Sequence, residues 1–179
     1  MAENTTQPPA GDAQSDAPQA GAQAPRLTIL SQYIKDLSFE NPRAPASLEP
    51  GKSRPEIQVR VDARAQELTS GRYEVTFQLH CEARSGEDPV FMIELTYAGL
   101  FSVANVPPES LQPVLLIECP RLLFPFARRI VADVTRDGGF PPLMIDPIDF
   151  VTLYRRRQEQ AQAGAQPQPA GANGGQTTA

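Results

Sequence analysis

The chain predicts an α+β fold: a four-stranded antiparallel sheet with its helices packed on one face. Three observations carry this. Four stretches in the first part of the chain alternate apolar and polar residues with a period of about two, the mark of strands buried on one side and wet on the other. A later stretch repeats its apolar residues every three or four positions, as an amphipathic helix does. The strands come first and the helices after, without the strand–helix alternation of a parallel sheet.

The first stretch, Arg26 to Glu40, alternates imperfectly. Leu27, Ile29, Tyr33, Leu37 and Phe39 share one side, and Gln32, Asp36, Ser38 and Glu40 the other. Leu30, Ile34 and Lys35 interrupt the pattern, which points to a bulge. Asn41 to Pro55 is proline-rich and too long for a tight hairpin, so it reads as a crossover that lets the first strand pair elsewhere than beside the second. Glu56 to Gln66 alternates cleanly: Ile57, Val59, Val61 and Ala63 oppose Gln58, Arg60, Asp62 and Arg64. Arg72 to Arg84 does the same, with Tyr73, Val75, Phe77, Leu79, Cys81 and Ala83 on the apolar side. Ser85 to Pro89 makes a hairpin connection. Val90 to Ala98 is the fourth strand, with Phe91, Ile93, Leu95 and Tyr97 inward and Met92, Glu94 and Thr96 outward. Gly99 to Val103 follows without polar alternation.

A short helix near Glu109–Glu118 is predicted to end before Cys119-Pro120. The long helix runs over Arg121–Arg136. Leu123, Ala127, Ile130 and Val134 form its apolar stripe, widened by Leu122, Phe126 and Val131, with Pro125 in the first turn and Asp137-Gly138-Gly139 as the stop. Phe140 to Pro147 is extended. Asp149 caps a final helix over about Phe150–Gln158, with Arg155, Arg156 and Arg157 in its last turns, where the helix dipole favours cations.

Residues 1–25 and 158–179 are rich in Ala, Gln, Pro and Gly. They bury too little to offset their ordering entropy and are expected to be disordered tails around one domain, residues 26–157. The net charge of −5 argues against a nucleic-acid protein, which needs a basic stripe to neutralise phosphates. No signal peptide or membrane-length apolar run is present. Two separated cysteines make no disulfide framework, and free thiols without an export signal point to the cytoplasm.

Catalytic chemistry is hard to assemble. His80 is the chain's single histidine and is placed on the wet face of a strand. One His and two distant Cys do not make a zinc set. Gly51-Lys52-Ser53 lacks the upstream glycine of a phosphate loop. No catalytic residue, metal or cofactor is expected. The informative feature is surplus apolar surface. Phe124, Phe126, the Gly99–Val103 segment and the Phe140–Met144 loop hold more large groups than one small sheet and one helix easily hide. Two readings are open for each: ordinary core, or burial against other subunits and in a binding groove. On the wet face, Asp36, Ser38 and Glu40 on one strand and Met92 with Glu94 on another form either a solvated surface or a docking patch for a basic partner.

The motif Tyr33-Ile34-Lys35-Asp36-Leu37-Ser38-Phe39-Glu40-Asn41-Pro42 resembles the first-strand signature of the bacterial export chaperone family SecB. Gly99-Leu100-Phe101-Ser102-Val103, Cys119-Pro120-Arg121-Leu122-Leu123-Phe124-Pro125-Phe126-Ala127-Arg128 and Gly139-Phe140-Pro141-Pro142-Leu143 resemble further signatures in the same order, over residues 27–154. Met92 stands where many relatives carry leucine, and Ala98-Gly99 where relatives carry two glycines. The resemblance implies a dimer of dimers, its helices sandwiched between two larger sheets. It implies an ATP-independent holdase that keeps unfolded precursors export-competent in the cytoplasm and delivers them to the ATPase SecA. By position, Asp36, Glu40, Met92 and Glu94 would touch SecA. Phe39, Phe91, Leu100, Phe101, Phe124, Phe140, Leu143 and Met144 are candidates for the client groove. The alternatives are a holdase of the same fold serving a toxin–antitoxin system, which predicts loss of the acidic set, and a small-molecule or enzymatic domain, which predicts a closed pocket with convergent polar groups.

Overall fold

A computed structural model describes residues 24–49 and 54–164. Most of the two predicted tails and Gly51-Lys52-Ser53 lie outside the described residues. Four strands, β1 (Arg26–Glu40), β2 (Glu56–Thr69), β3 (Arg72–Ser85) and β4 (Asp88–Ala104), form one antiparallel sheet in the order β1-β4-β3-β2. The Asn41–Pro55 segment is therefore a crossover: it carries the chain from one edge of the sheet to the other. Helices follow as α1 (Pro108–Pro113), a π-helical turn (Val114–Glu118), α2 (Cys119–Asp137) and α3 (Phe150–Gly164).

The first strand holds two bulges. Leu30 and Lys35 are extra residues opposite β4, between the pairs Ile29–Phe101 and Ser31–Leu100 and between Ile34–Tyr97 and Asp36–Thr96. Each insertion shifts the side-chain phase by one, so the middle of the strand is turned over relative to its ends. Gln32 pairs with Gly99 on the helix side, where its amide accepts from the Tyr97 hydroxyl at 3.3 Å. Tyr33 points to the open face. This reverses the sequence assignment of these two residues and leaves that of Leu27, Ile29, Asp36, Leu37, Ser38, Phe39 and Glu40 intact. On the open face Glu74 of β3 accepts from Tyr33 Oη at 2.5 Å and from Lys35 Nζ at 2.7 Å, holding the second bulge. Lys35 and Tyr33 together keep the Glu74 carboxyl below its usual range, and the carboxylate pushes the Tyr33 phenol up to about 12. A phenol raised in the folded state stabilises the fold below its unfolded pKa of about 10 and loses that contribution as pH rises towards about 12. Glu74→Gln is expected to bring this ionisation back towards pH 10. Spectrophotometric titration of tyrosinate checks it, with Tyr33→Phe identifying the transition.

Strand β4 does not end at Ala98. It runs on to Ala104, with Gly99, Phe101 and Val103 towards the helices and Leu100 and Ser102 on the open face. Gly99 is required by close approach: a Cβ there would lie 2.6 Å from the Phe101 ring and 2.8 Å from Leu123 of α2. Cys119-Pro120 does not break the helical path. In the preceding π turn the Cys119 N–H reaches the carbonyl of Val114, and the chain enters α2 in helical conformation with Pro120 in its first turn. Pro125 consequently lies inside α2 rather than at its start.

The buried line of α2 is Leu123, Phe124, Ala127, Val131 and Thr135; Ile130 and Val134 flank it, and Leu122 and Phe126 remain exposed. Phe124, Phe150 and Phe77 meet edge to face, with ring centres 5.7–6.1 Å apart. The helix ends in a Schellman motif: Phe140 N–H donates to the Thr135 carbonyl and Gly139 N–H to that of Arg136, both at 3.0 Å. Gly139, at φ +88°, supplies the left-handed residue, whereas Gly138 stays helical. Asp149 caps α3 as predicted, its carboxylate accepting from the N–H groups of Val151 and Thr152 and from the Thr152 hydroxyl, which holds its pKa low. The helix runs to Gly164, so Arg155, Arg156 and Arg157 lie mid-helix, and Arg157 reaches back to the Ala63 carbonyl on β2.

Candidate functional site: an apolar trough and an acidic sheet face

Helices cover the centre of the sheet and leave its margins uncovered. At the β2 margin, the crossover, the β3–β4 hairpin and the Gly139–Met144 segment enclose a trough of about 920 Å³. Its apolar lining is Leu48, Ile57, Val90, Phe91, Phe140, Leu143 and Met144, with Arg43, Arg54, Glu49 and Asp88 among its polar lining. Phe91 and Phe140 meet at 4.9 Å with their rings tilted by 47°, and Phe39 closes this aromatic group at 6.1 and 6.5 Å. Phe39 in turn rests on Gly138, where a Cβ would lie 2.3 Å from its ring. The wall is fixed from α2. The buried Thr135 hydroxyl bonds back to its own helix and accepts the Leu143 N–H at 2.9 Å. This bond presents Leu143 and the 60 % exposed Met144 to the trough.

Of the eight residues predicted for a groove, the structure brings Phe91, Phe140, Leu143 and Met144 together at the trough, with Phe39 behind them. It does not bring in the other three. Phe101 is fully buried between sheet and helix, Phe124 belongs to the edge-to-face core, and Leu100 faces the opposite side of the sheet. Leu48, Ile57 and Val90 are lining residues that sequence reasoning missed. The one signal was the length of the crossover, which has to cross the sheet.

On the open face, Asp36, Glu40, Met92 and Glu94 converge. Glu40 pairs with Met92, Ser38 with Glu94, and Asp36 with Thr96, so the four lie on three successive outward rungs of the β1–β4 ladder. Asp36 and Glu94 line a shallow depression of about 380 Å³ with Arg60, Asp62 and His80. His80 Nδ1 is 3.2 Å from Glu94 Oε1. Arg64 and Arg157 engage Asp62 and Arg84 engages Glu82, whereas Asp36 and Glu40 form no ion pair among the described residues. Two partly solvated carboxylates and a third held by an imidazole make a negative surface.

Among the described residues no set of three metal-binding side chains converges. Both thiols are buried and raised by desolvation, Cys81 to about 11 and Cys119, next to Glu118, to about 12. No described helix is long and apolar enough to cross a membrane.

The fold thus exposes an open apolar trough and, across the sheet, a cluster of carboxylates on β1 and β4. Residues 20–161 match the family model described as preprotein translocase subunit SecB. The protein-export protein SecB of Rhodopseudomonas palustris (strain HaA2) is 54% identical over 150 residues, covering 84% of this chain and 95% of that protein. That of Parvibaculum lavamentivorans (strain DS-1) is 54% identical over 154 residues, covering 84% and 92%. In fold, the chain is similar to the SecB-like chaperone of Mycobacterium tuberculosis solved with a ChAD peptide from the HigA1 antitoxin. That match has a TM-score of 0.58 at 18% identity and covers 69% of this chain and 91% of that one. The chain belongs to the SecB family of protein-export chaperones.

Proposed function

We propose that the trough is the client groove and that the acidic face docks SecA. The protein is then a cytoplasmic holdase that keeps precursors unfolded and yields them to SecA by competition, without ATP. The carrying observation is the trough itself: aromatic and aliphatic groups open to solvent, with the exposed side chains of Arg43, Glu49, Arg54 and Asp88 beside them. Such a surface suits extended, apolar segments of many sequences, each bound weakly because the client loses chain entropy at every contact. The edge position of β2 adds backbone groups for an extended client, beyond the Ala63 carbonyl that Arg157 takes.

The remaining exposed apolar groups support assembly. Ile29, Ile34 and Leu37 of β1 and Leu122 and Phe126 of α2 lie towards the helix side and stay 37–48 % exposed in one chain. A dimer of dimers with its helices between two sheets would cover them. The acidic set is present and clustered, which favours export over the antitoxin reading.

The test is binding of a labelled, permanently unfolded precursor by the full chain, with light scattering to give the assembly state. Leu143→Asp places a charge in the trough and is expected to weaken client binding about tenfold, with the circular dichroism spectrum unchanged. Client affinity unaltered by Leu143→Asp would move the groove elsewhere. A strict monomer that ignores the precursor would reject the holdase reading.

A further inference from the structure

Of the chain's five sulfurs, four lie among the described residues: those of Cys81, Cys119 and Met92, and that of Met144 at the trough. Their accessibilities separate them sharply. Both thiols are fully buried, and their high pKa values keep them protonated and unreactive. Met92 is half-buried on the open face beside Glu40. Met144 is 60 % exposed, the most exposed large apolar residue among those described, and it follows Pro141-Pro142 on a wall pinned through Leu143 to Thr135. A reagent that cannot reach the thiols still reaches this thioether.

We infer that Met144 is an oxidative modification site that tunes client holding, its substrate being a peroxide and its modified form a low-affinity state. This rests on the reading of the trough as the client groove. In the reaction the thioether sulfur attacks one peroxide oxygen. An S–O bond forms and the O–O bond breaks; sulfur is oxidised by two electrons, and the second oxygen leaves as water after taking up a proton. The product is a sulfoxide, which replaces a flexible apolar group by a strongly polar one. Phe91, Phe140 and Leu143 beside it are untouched, so binding is weakened rather than abolished. The change needs no cysteine and is reversible by sulfoxide reduction.

The experiment treats the full-length protein with hydrogen peroxide, removes the oxidant with catalase, and maps sulfoxides by peptide mass spectrometry. A fluorescein-labelled unfolded peptide free of Met and Cys then reports affinity by anisotropy. Met144 is expected to oxidise before Met92, and affinity to fall about threefold to tenfold. Methionine sulfoxide reductases acting on both epimers, supplied with a dithiol that is oxidised to a disulfide as the oxygen leaves as water, restore it. Met144→Leu, compared with its own oxidised form, is expected to change less than about twofold. Complete Met144 oxidation with unchanged affinity would overturn the inference, as would an equal loss in Met144→Leu. Either result leaves the groove reading standing, because the untreated protein still binds. Failure of the untreated protein to bind the peptide would overturn both.

Discussion

Phe77→Ala is expected to remove about 3–5 kcal/mol of folding stability, a large share of the roughly 5–15 kcal/mol that holds a domain of this kind together. Phe77 is fully buried on β3, and Phe124 of α2 and Phe150 of α3 meet it edge to face at 6.1 and 5.7 Å. It thus joins the sheet to both long helices. Truncation loses the transfer energy of the ring and leaves a cavity that three separate elements cannot close together. Chemical denaturation at fixed protein concentration checks this, since assembly shifts apparent stability. A loss below about 1 kcal/mol would mean that the helices are not seated on the sheet through this ring. Phe126→Ala supplies the contrast. That ring is 45 % exposed and stacks over Tyr97 at 6.4 Å, so its loss is expected to act mainly on association between subunits.

Reversing charge at Glu40 and Glu94 together, as Glu40→Lys and Glu94→Lys, is expected to weaken SecA binding about tenfold to a hundredfold and leave client affinity within about twofold. The two residues lie on the open face on adjacent outward rungs, Glu40 opposite Met92 and Glu94 opposite Ser38, with Asp36 next in line. Each reversal replaces an attraction to a basic partner by a repulsion. In the second, a lysine also lands beside His80, which now faces Glu94 at 3.2 Å. Exposed pairs are screened over about 10 Å at 0.1 M salt, so the effect is expected to shrink as salt rises. Calorimetric titration at two ionic strengths checks both points. SecA affinity that ignores the double reversal would remove the docking assignment. The trough lies across the sheet from these residues, which is why holding and docking are expected to separate.

Much of this architecture was legible in the sequence, for reasons that differ by element. Strand β3 alternates plainly because the helices bury one of its faces, and β2 keeps the same pattern although its helix side, Ala63 apart, stays largely exposed in one chain. The continuation of β4 was hidden because Ala98 and Leu100 make its open face apolar there, erasing the contrast on which alternation depends. Cys119-Pro120 reads as a stop because proline lacks an N–H, yet the wider turn before it passes the chain on without a break. The acidic set was legible residue by residue because outward positions on neighbouring strands need only the correct pairing to meet. The trough was not. Leu48, Ile57 and Val90 come from a crossover, an edge strand and a hairpin, and their meeting is fixed by topology over long sequence separations. Phe101 and Phe124 look like binding aromatics in the sequence, and only the packing of α2 on Gly99 shows them sealed.

The paired bulges of β1 have a genetic corollary. Leu30 and Lys35 each add one to the strand's count, and two odd steps make an even one, so Leu27 and Leu37 keep the same orientation across the interruption. Because each is an extra residue opposite β4, loss of the Leu30 or the Lys35 codon alone would straighten the ladder and leave every other side chain on its own face, whereas loss of a paired residue such as Tyr33 would move its neighbours to new partners unless a bulge absorbed it. This edge therefore tolerates length change at its two bulges one residue at a time, and homologues that have gained or lost residues in the strand are expected to have done so there.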